Sequence, residues 1–86
     1  MKLKKDKIYR VYWHDTVSIE EWANWESIEY KASECKQNQE TIGFYIGSCH
    51  GYYVFCSTVN RSENMLPYAN ITLIPSGTII KIKELR

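Results

Sequence analysis

The sequence lacks long apolar runs and has few of the residues that mark unstructured chains. Its 86 residues include only four glycines and two prolines, while 14% are aromatic. This composition excludes collagen-like, low-complexity and disordered classes. No apolar run approaches the ~20 residues that a membrane helix requires. The basic start has no apolar stretch typical of a signal peptide, so we expect a cytoplasmic protein formed by a single domain over residues 1–86.

An excess of charge of either sign is also absent, because the basic and acidic residues nearly cancel and the net charge is only +1. The charges are nevertheless segregated along the chain. Eight of the eleven basic residues lie in the first ten or last six positions, whereas residues 15–40 hold seven acidic residues and two lysines. If the two chain ends pair in space, a basic face and an acidic segment result, and such a surface binds phosphates or a second copy. The alternative is a solvated surface on which terminal lysines serve solubility.

Cysteine is too scarce and too irregularly spaced for a disulfide framework or a typical zinc site. Cys35, Cys49 and Cys56 are an odd number and form no CxxC pair. Cys49 and Cys56 offer thiolate groups and His14 and His50 offer imidazole groups, but the adjacent Cys49 and His50 side chains diverge. We therefore predict neither a metal site nor a cofactor.

Alternation of apolar and polar residues predicts five short strands and one helix. A capping-box pattern, Ser18 followed by Glu21, predicts a short helix over Ile19–Ile28 after the first strand. A second prediction is a tight turn at Pro75–Gly77, in which Gly77 is able to take a positive φ. The predicted strands are Lys7–His14, Thr41–Gly47, Tyr52–Thr58, Ala69–Ile74 and Thr78–Leu85. Five short strands close most economically as a small, strongly bent barrel, so the predicted fold class is mainly β.

The same alternation assigns a core. On the second strand it places Ile42, Phe44 and Ile46 inward, with glycines on the opposite side to allow a close approach. The full predicted core is Val11, Trp22, Ile42, Phe44, Ile46, Val54, Cys56, Ile71, Leu73, Ile80 and Ile82.

Candidate binding residues come from the tyrosines and from one loop. Arg61 is the only lysine or arginine between Lys36 and Lys81, and it follows a strand end rich in hydroxyl groups. Arginine paired with a stacking tyrosine suits a nucleotide. The predicted ligand-binding residues are Ser57, Thr58, Asn60, Arg61, Tyr12 and Tyr45. Tyr52, Tyr53 and Phe55 add bulk to both faces of one strand, which predicts an oligomer interface. The aromatic surface serves either self-association or ligand stacking.

Several spaced motifs resemble small phage-encoded proteins with SH3-like or Sm-like (Hfq-like) barrels. The motifs are Trp13-x-Asp15, Trp22, Thr41-x-Gly43-Phe44, Tyr53-Val54-Phe55 and Ile74-Pro75-x-Gly77-x-Ile79-x-x-Ile82-x-x-Leu85. The resemblance implies oligomeric rings that bind RNA or nucleotides between subunits, and some such phage proteins sequester nucleotide signals of host immunity. It supplies no catalytic residue. The sequence has no clear counterpart of the lysine–histidine RNA-binding signature of bacterial Hfq.

These observations together predict a non-enzymatic, phage-type accessory protein. We expect a homo-oligomer that sequesters a small nucleotide, such as an immune signal. Two alternatives stay open: a ring that binds single-stranded RNA, and a protein–protein interaction or inhibitor module whose acidic segment meets a basic partner.

Overall fold

The computed structural model describes residues 2–15, 20–34 and 38–86. It is mainly β, with five strands and one short helix after the first strand, which confirms the predicted class. The elements in chain order are β1 (Ile8–His14), α1 (Trp25–Glu34), β2 (Asn38–Cys49), β3 (Tyr52–Val59), β4 (Tyr68–Pro75), a 3-10 turn (Ser76–Thr78) and β5 (Ile79–Leu85).

All five strands form one antiparallel sheet in the order β4-β3-β2-β1-β5. β4 and β5 are therefore the two edges, although only the three residues Ser76–Thr78 separate them along the chain. So short a connection brings one end of each edge strand to the same corner, which requires a strongly bent sheet. No ladder joins β4 to β5 within the described residues, so the sheet is not closed.

Two connections show how local chemistry sets the turns. β2 and β3 are joined by His50 and Gly51, which have φ values of 49° and 82°. Positive φ at both positions matches the twist of a two-residue hairpin. After β4, the Thr78 hydroxyl donates a hydrogen bond to the Pro75 carbonyl at 2.7 Å. The tight turn predicted here is a 3-10 turn, in which Gly77 does not take a positive φ.

The core lies on one face of the sheet, here called the inner face. Its buried residues are Tyr9, Val11, Phe55 and Ile74, drawn from β1, β3 and β4. The Tyr45 ring packs beside them, with its centroid 6.2 Å from that of Tyr9 and 5.6 Å from that of Phe55. Edge-on and tilted aromatic pairs of this kind stabilise a small core beyond the area they bury.

The predicted inward face of β2 is wrong. β1 pairs with β2 so that Tyr9 lies opposite Gly43, which puts Gly43 and Tyr45 on the inner face. Ile42 is half exposed on the outer face, while Phe44 and Ile46 are only partly buried. The inner side at Gly43 is filled by the β3 backbone, so glycine fits there and bulky aliphatic residues do not.

The rest of the predicted core is divided. Val11 and Cys56 are buried, and Ile82 packs against the core. Ile71 and Leu73 are half exposed, because β4 turns Ile74 inward instead. Trp22 is fully exposed before α1, and Ile80 is half exposed at an irregularity between β1 and β5. Val54 is partly buried.

The helix begins six residues later than predicted. Asn24 caps it, since its side-chain oxygen accepts a hydrogen bond from the Ser27 amide at 2.8 Å. The Ile28 amide then donates to the Asn24 carbonyl at 3.1 Å. Asparagine is as good an N-cap as serine, so the sequence contains two helix-start signals, Ser18 and Asn24. Ser18 and Ile19, the predicted start, lie outside the described residues.

Candidate ligand-binding site

A β-bulge between β1 and β5 organises the candidate site. Tyr12 lies opposite Lys81, but the next residue, Trp13, lies opposite Ile79, so Ile80 is the extra residue. A bulge of this kind bends the strand and redirects a side chain. Here it leaves Ile80 half exposed beside Tyr12 on the outer face.

Basic groups surround the Tyr12 ring. The Lys81 ammonium lies 5.5 Å from the ring centroid, within the range of a cation–π contact. Arg10 pairs across the strands with Lys83, which places three cations near Tyr12 on the outer face. The side chain of Tyr12, by hydrogen bond and charge, and then Glu40 raise the pKa of Arg10 above its ordinary value. The guanidinium therefore stays charged at any physiological pH.

One acidic group lies beside this cluster. Glu40 Oε1 is 3.9 Å from Arg10 Nε, a loose and solvent-exposed ion pair. The Nε atom itself is buried and makes no hydrogen bond to the described part of the chain. Glu40 is thus a loose partner for Arg10, and the register places Lys81 and Lys83 on the same face.

The space beside Tyr12 is an open pocket of about 400 Å³. Its lining residues are Tyr12, Asn38, Gln39, Ile80 and Lys81. An aromatic face, an aliphatic wall, two amides and an ammonium can respectively stack on a base, exclude water, read a base edge and pair with a phosphate.

Of the two tyrosines predicted to bind ligand, Tyr12 lies in this pocket and Tyr45 lies elsewhere. Tyr45 is on the inner face, where its ring centroid is 6.1 Å from that of Tyr53. Its backbone also pairs with the segment before β1, because the Tyr45 amide donates to the Lys7 carbonyl at 2.9 Å. The two tyrosines thus face opposite sides of the sheet.

The predicted loop residues lie together at the end of β3 but apart from Tyr12. Arg61 is exposed in the loop after β3, and β2 stands between β3 and β1. The Asn60 side-chain oxygen accepts a hydrogen bond from the Ser62 amide at 2.9 Å. Thr58 and Ser57 are exposed near the end of β3, with the Thr58 hydroxyl 3.5 Å from the Asn70 amide nitrogen. The Asn60 bond shapes the loop.

The three residues predicted to form an oligomer interface also separate. Phe55 is 0% exposed within the core, and Tyr53 packs beside it on the inner face. Tyr52 alone is exposed, on the outer face opposite Cys49. The bulky residues on the two sides of β3 therefore differ in role. Tyr53 and Phe55 belong to the core, whereas Tyr52 is exposed.

The cysteine and histidine groups of the described residues form no metal-binding cluster. No group of three His, Cys, Asp or Glu side chains suited to a metal occurs among residues 2–15, 20–34 and 38–86. Cys49 and His50 line an open pocket of about 280 Å³ at the hairpin end. Burial raises the pKa of the Cys56 thiol, which keeps it neutral. Within the same ranges, no helix is both long and apolar enough to cross a membrane.

No protein-family model, curated protein or solved structure matches the chain. The site therefore has to be judged on its own geometry. Sequence reasoning found Tyr12 but missed Lys81, Asn38, Gln39 and Ile80 as its neighbours. The available signal was the segregated charge, since pairing of the chain ends brings Lys81 and Lys83 beside β1.

Proposed function

We propose that the protein binds a phosphate-bearing nucleotide at the Tyr12 pocket and does not turn it over. The observation that carries this proposal is the Lys81 ammonium over the Tyr12 ring, with Arg10 and Lys83 alongside. In the proposed complex a base stacks on Tyr12, an amide of Asn38 or Gln39 meets the base edge, and the cations hold the phosphate. The site predicted around Arg61 is thereby moved to Tyr12.

The typical strengths of these interactions favour a move of the Lys81 ammonium from the Tyr12 ring to the phosphate when a base binds. An exposed cation–π contact stabilises by about 0.5–1 kcal/mol. Stacking of a base on an aromatic side chain contributes about 1–3 kcal/mol. A hydrogen bond from the released ammonium to a phosphate adds about 1.5–3 kcal/mol. Lys81 therefore gains by moving from the ring to the phosphate when a base takes its place.

We also propose that the bent sheet is an SH3-like or Sm-like barrel. Two features support this: β5 returns beside β1, and the 3-10 turn joins the two edge strands at one corner. The resemblance to phage-encoded barrels then supports a role in the host cytoplasm as an accessory protein that sequesters a nucleotide signal of host immunity.

Single-stranded RNA is the second candidate ligand. Lys81 and Lys83 project from the same face of β5, opposite Tyr12 and Arg10. Alternate residues of a strand lie about 6.5 Å apart, and such a basic row suits a phosphate backbone. The two ligands differ in salt dependence, because affinity for a polynucleotide falls steeply as salt increases.

Calorimetric titration tests the proposal. The probes are linear and cyclic mono- and dinucleotides and a short single-stranded RNA, at low and high salt. We expect Tyr12→Leu and Lys81→Ala to weaken binding about 10-fold or more. The matched controls Tyr30→Leu and Lys5→Ala alter an exposed tyrosine and lysine away from the pocket, and they should bind like the parent. No binding by the parent, or equal loss in the controls, would refute the assignment.

A further inference from the structure

The outer face of the sheet also carries an apolar surface that lies outside the Tyr12 pocket. One row crosses all five strands through directly paired residues: Leu85, Ile8, Phe44, Cys56 and Ile71. Every member is apolar. Beside this row, Ile42 and Leu73 are also about half exposed. We define Ile8, Ile42, Phe44, Ile71 and Leu73 as the outer patch. Cys56 itself is buried, so the exposed residues of the patch lie on the strands to either side of β3. Exposed apolar residues grouped on a sheet face mark an interaction surface.

A third surface, on and before α1, is also apolar and exposed. Residues 20–34, here called the aromatic arm, include α1 and expose Trp22, Trp25 and Tyr30. The structure describes every residue of α1, and none of them is buried. The Trp25 indole N–H already donates a hydrogen bond to Glu29 Oε1 at 2.7 Å, while the apolar surface of the ring is exposed to solvent.

The aromatic arm is an ordered unit. Asn24 caps its helix, and the Lys31 ammonium donates a hydrogen bond to Glu21 Oε1. The same ammonium lowers the pKa of Glu21 below its ordinary value. These contacts tie the segment before α1 to the helix itself, so Trp22 and Trp25 are presented together.

Charge favours contact between the arm and the patch. The aromatic arm carries five glutamates and one lysine. Arg10 lies directly opposite Ile42 of the outer patch, and Lys83 lies opposite Arg10 on the next strand. An acidic aromatic helix thus meets an apolar surface with a basic rim.

The shape of the molecule favours a second copy as the source of the arm. The chain extends 56 Å along its longest axis, and its radius of gyration is 16.6 Å. A compact domain of this length has a radius of gyration of about 12 Å. Trp22, Trp25 and Tyr30 are exposed and no residue of α1 is buried, so the arm is not covered by its own sheet, and Ile42, Ile71 and Leu73 of the outer patch are about half exposed in one molecule.

We infer that two copies exchange their aromatic arms, each arm covering the outer patch of the other copy. A reciprocal exchange is a closed twofold dimer, which ends the association at two chains. Each buried tryptophan contributes about 150–250 Å². The two tryptophans of an arm thus bury about 300–500 Å². Each partner also buries a comparable area of its own patch under the other arm, which brings the total near the ~800 Å² per partner of a stable complex. The inference goes beyond the proposed function and does not depend on it.

Sedimentation equilibrium at micromolar concentration tests the exchange. We expect the parent to be a dimer. The arm variant Trp22→Ser/Trp25→Ser and the patch variant Ile71→Lys should each raise the dissociation constant at least 10-fold. Leu66→Lys is the matched control, because Leu66 is an exposed apolar residue of the loop after β3, outside both surfaces. It should dimerise like the parent.

Mixing the two defective variants gives the sharpest result. The arm variant retains a patch and the patch variant retains an arm, so an equimolar mixture should form a heterodimer with one intact contact. Three results would overturn the inference. One is a monomeric parent, whether its tryptophan emission is solvent-exposed or shielded against its own sheet. Another is loss of the dimer in the patch variant alone, which would mean that two patches pack face to face. The third is failure of the mixture to associate.

Discussion

A methyl group at Gly43 would stand 2.9 Å from the carbonyl oxygen of Cys56. Side-chain β-carbons in folded proteins essentially never show so short a contact. The Phe55 Cβ lies at 3.3 Å from the same point. β2 and β3 thus come so close together at Gly43 that only glycine leaves room there.

Gly43→Ala should therefore destabilise the protein by about 1–3 kcal/mol, as overpacking of a dense interior does. Gly47→Ala is the matched control, since nothing among the described residues lies within 4 Å of the added carbon there. Chemical denaturation of both variants measures the difference. Equal denaturation midpoints for the two variants would show that β2 and β3 are not closely packed at Gly43.

Phe55→Ala should cost about 3–5 kcal/mol, because its ring is fully buried. Phe44→Ala should cost clearly less, since Phe44 is only partly buried on the outer face. Urea unfolding at low protein concentration compares them without a contribution from self-association. A larger loss for Phe44 would contradict the assignment of the inner and outer faces.

Asn24→Ala should weaken α1 by about 1 kcal/mol, because it removes the acceptor of the Ser27 amide. Hydrogen exchange at the Ser27 amide should accelerate accordingly. Asn24→Asp keeps an acceptor and should protect that amide like the parent. Unchanged exchange in Asn24→Ala would mean that the helix begins elsewhere.

Alkylation should separate the two described cysteines. Cys49 is exposed, whereas Cys56 is buried and its pKa is raised by that burial. A raised pKa lowers the fraction of reactive thiolate at neutral pH. In a Cys35→Ser background, iodoacetamide at pH 7.5 should label Cys49 first and reach Cys56 only on unfolding. Similar labelling rates at both positions would contradict the buried position of Cys56.

The sequence was informative where one property decided the outcome. On β1, alternation correctly assigned Val11 to the core, because this strand buries one of its two faces. On β2 the same rule chose the wrong side. Hydrophobicity favoured Ile42 and Phe44, but steric room at Gly43 is set by the β3 backbone, which no local pattern reveals.

The candidate site was predictable only in part for the same reason. Tyr12 stood out as an aromatic residue on a strand, and the basic chain ends indicated a positive face. Its contact with Lys81 depends on pairing between β1 and β5, which are distant in sequence. The bulge that exposes Ile80 depends on that register as well, so spacing alone could not identify the pocket.

The central claim is that a nucleotide occupies the Tyr12 pocket, and backbone amide chemical shifts report this residue by residue. In a titration of the isotope-labelled protein with the tightest-binding nucleotide, we expect saturable shifts at Tyr12, Asn38, Gln39, Ile80 and Lys81. The amides of Asn60 and Arg61 should stay in place. Shifts confined to the loop after β3, or no saturable shift with any nucleotide, would contradict the account.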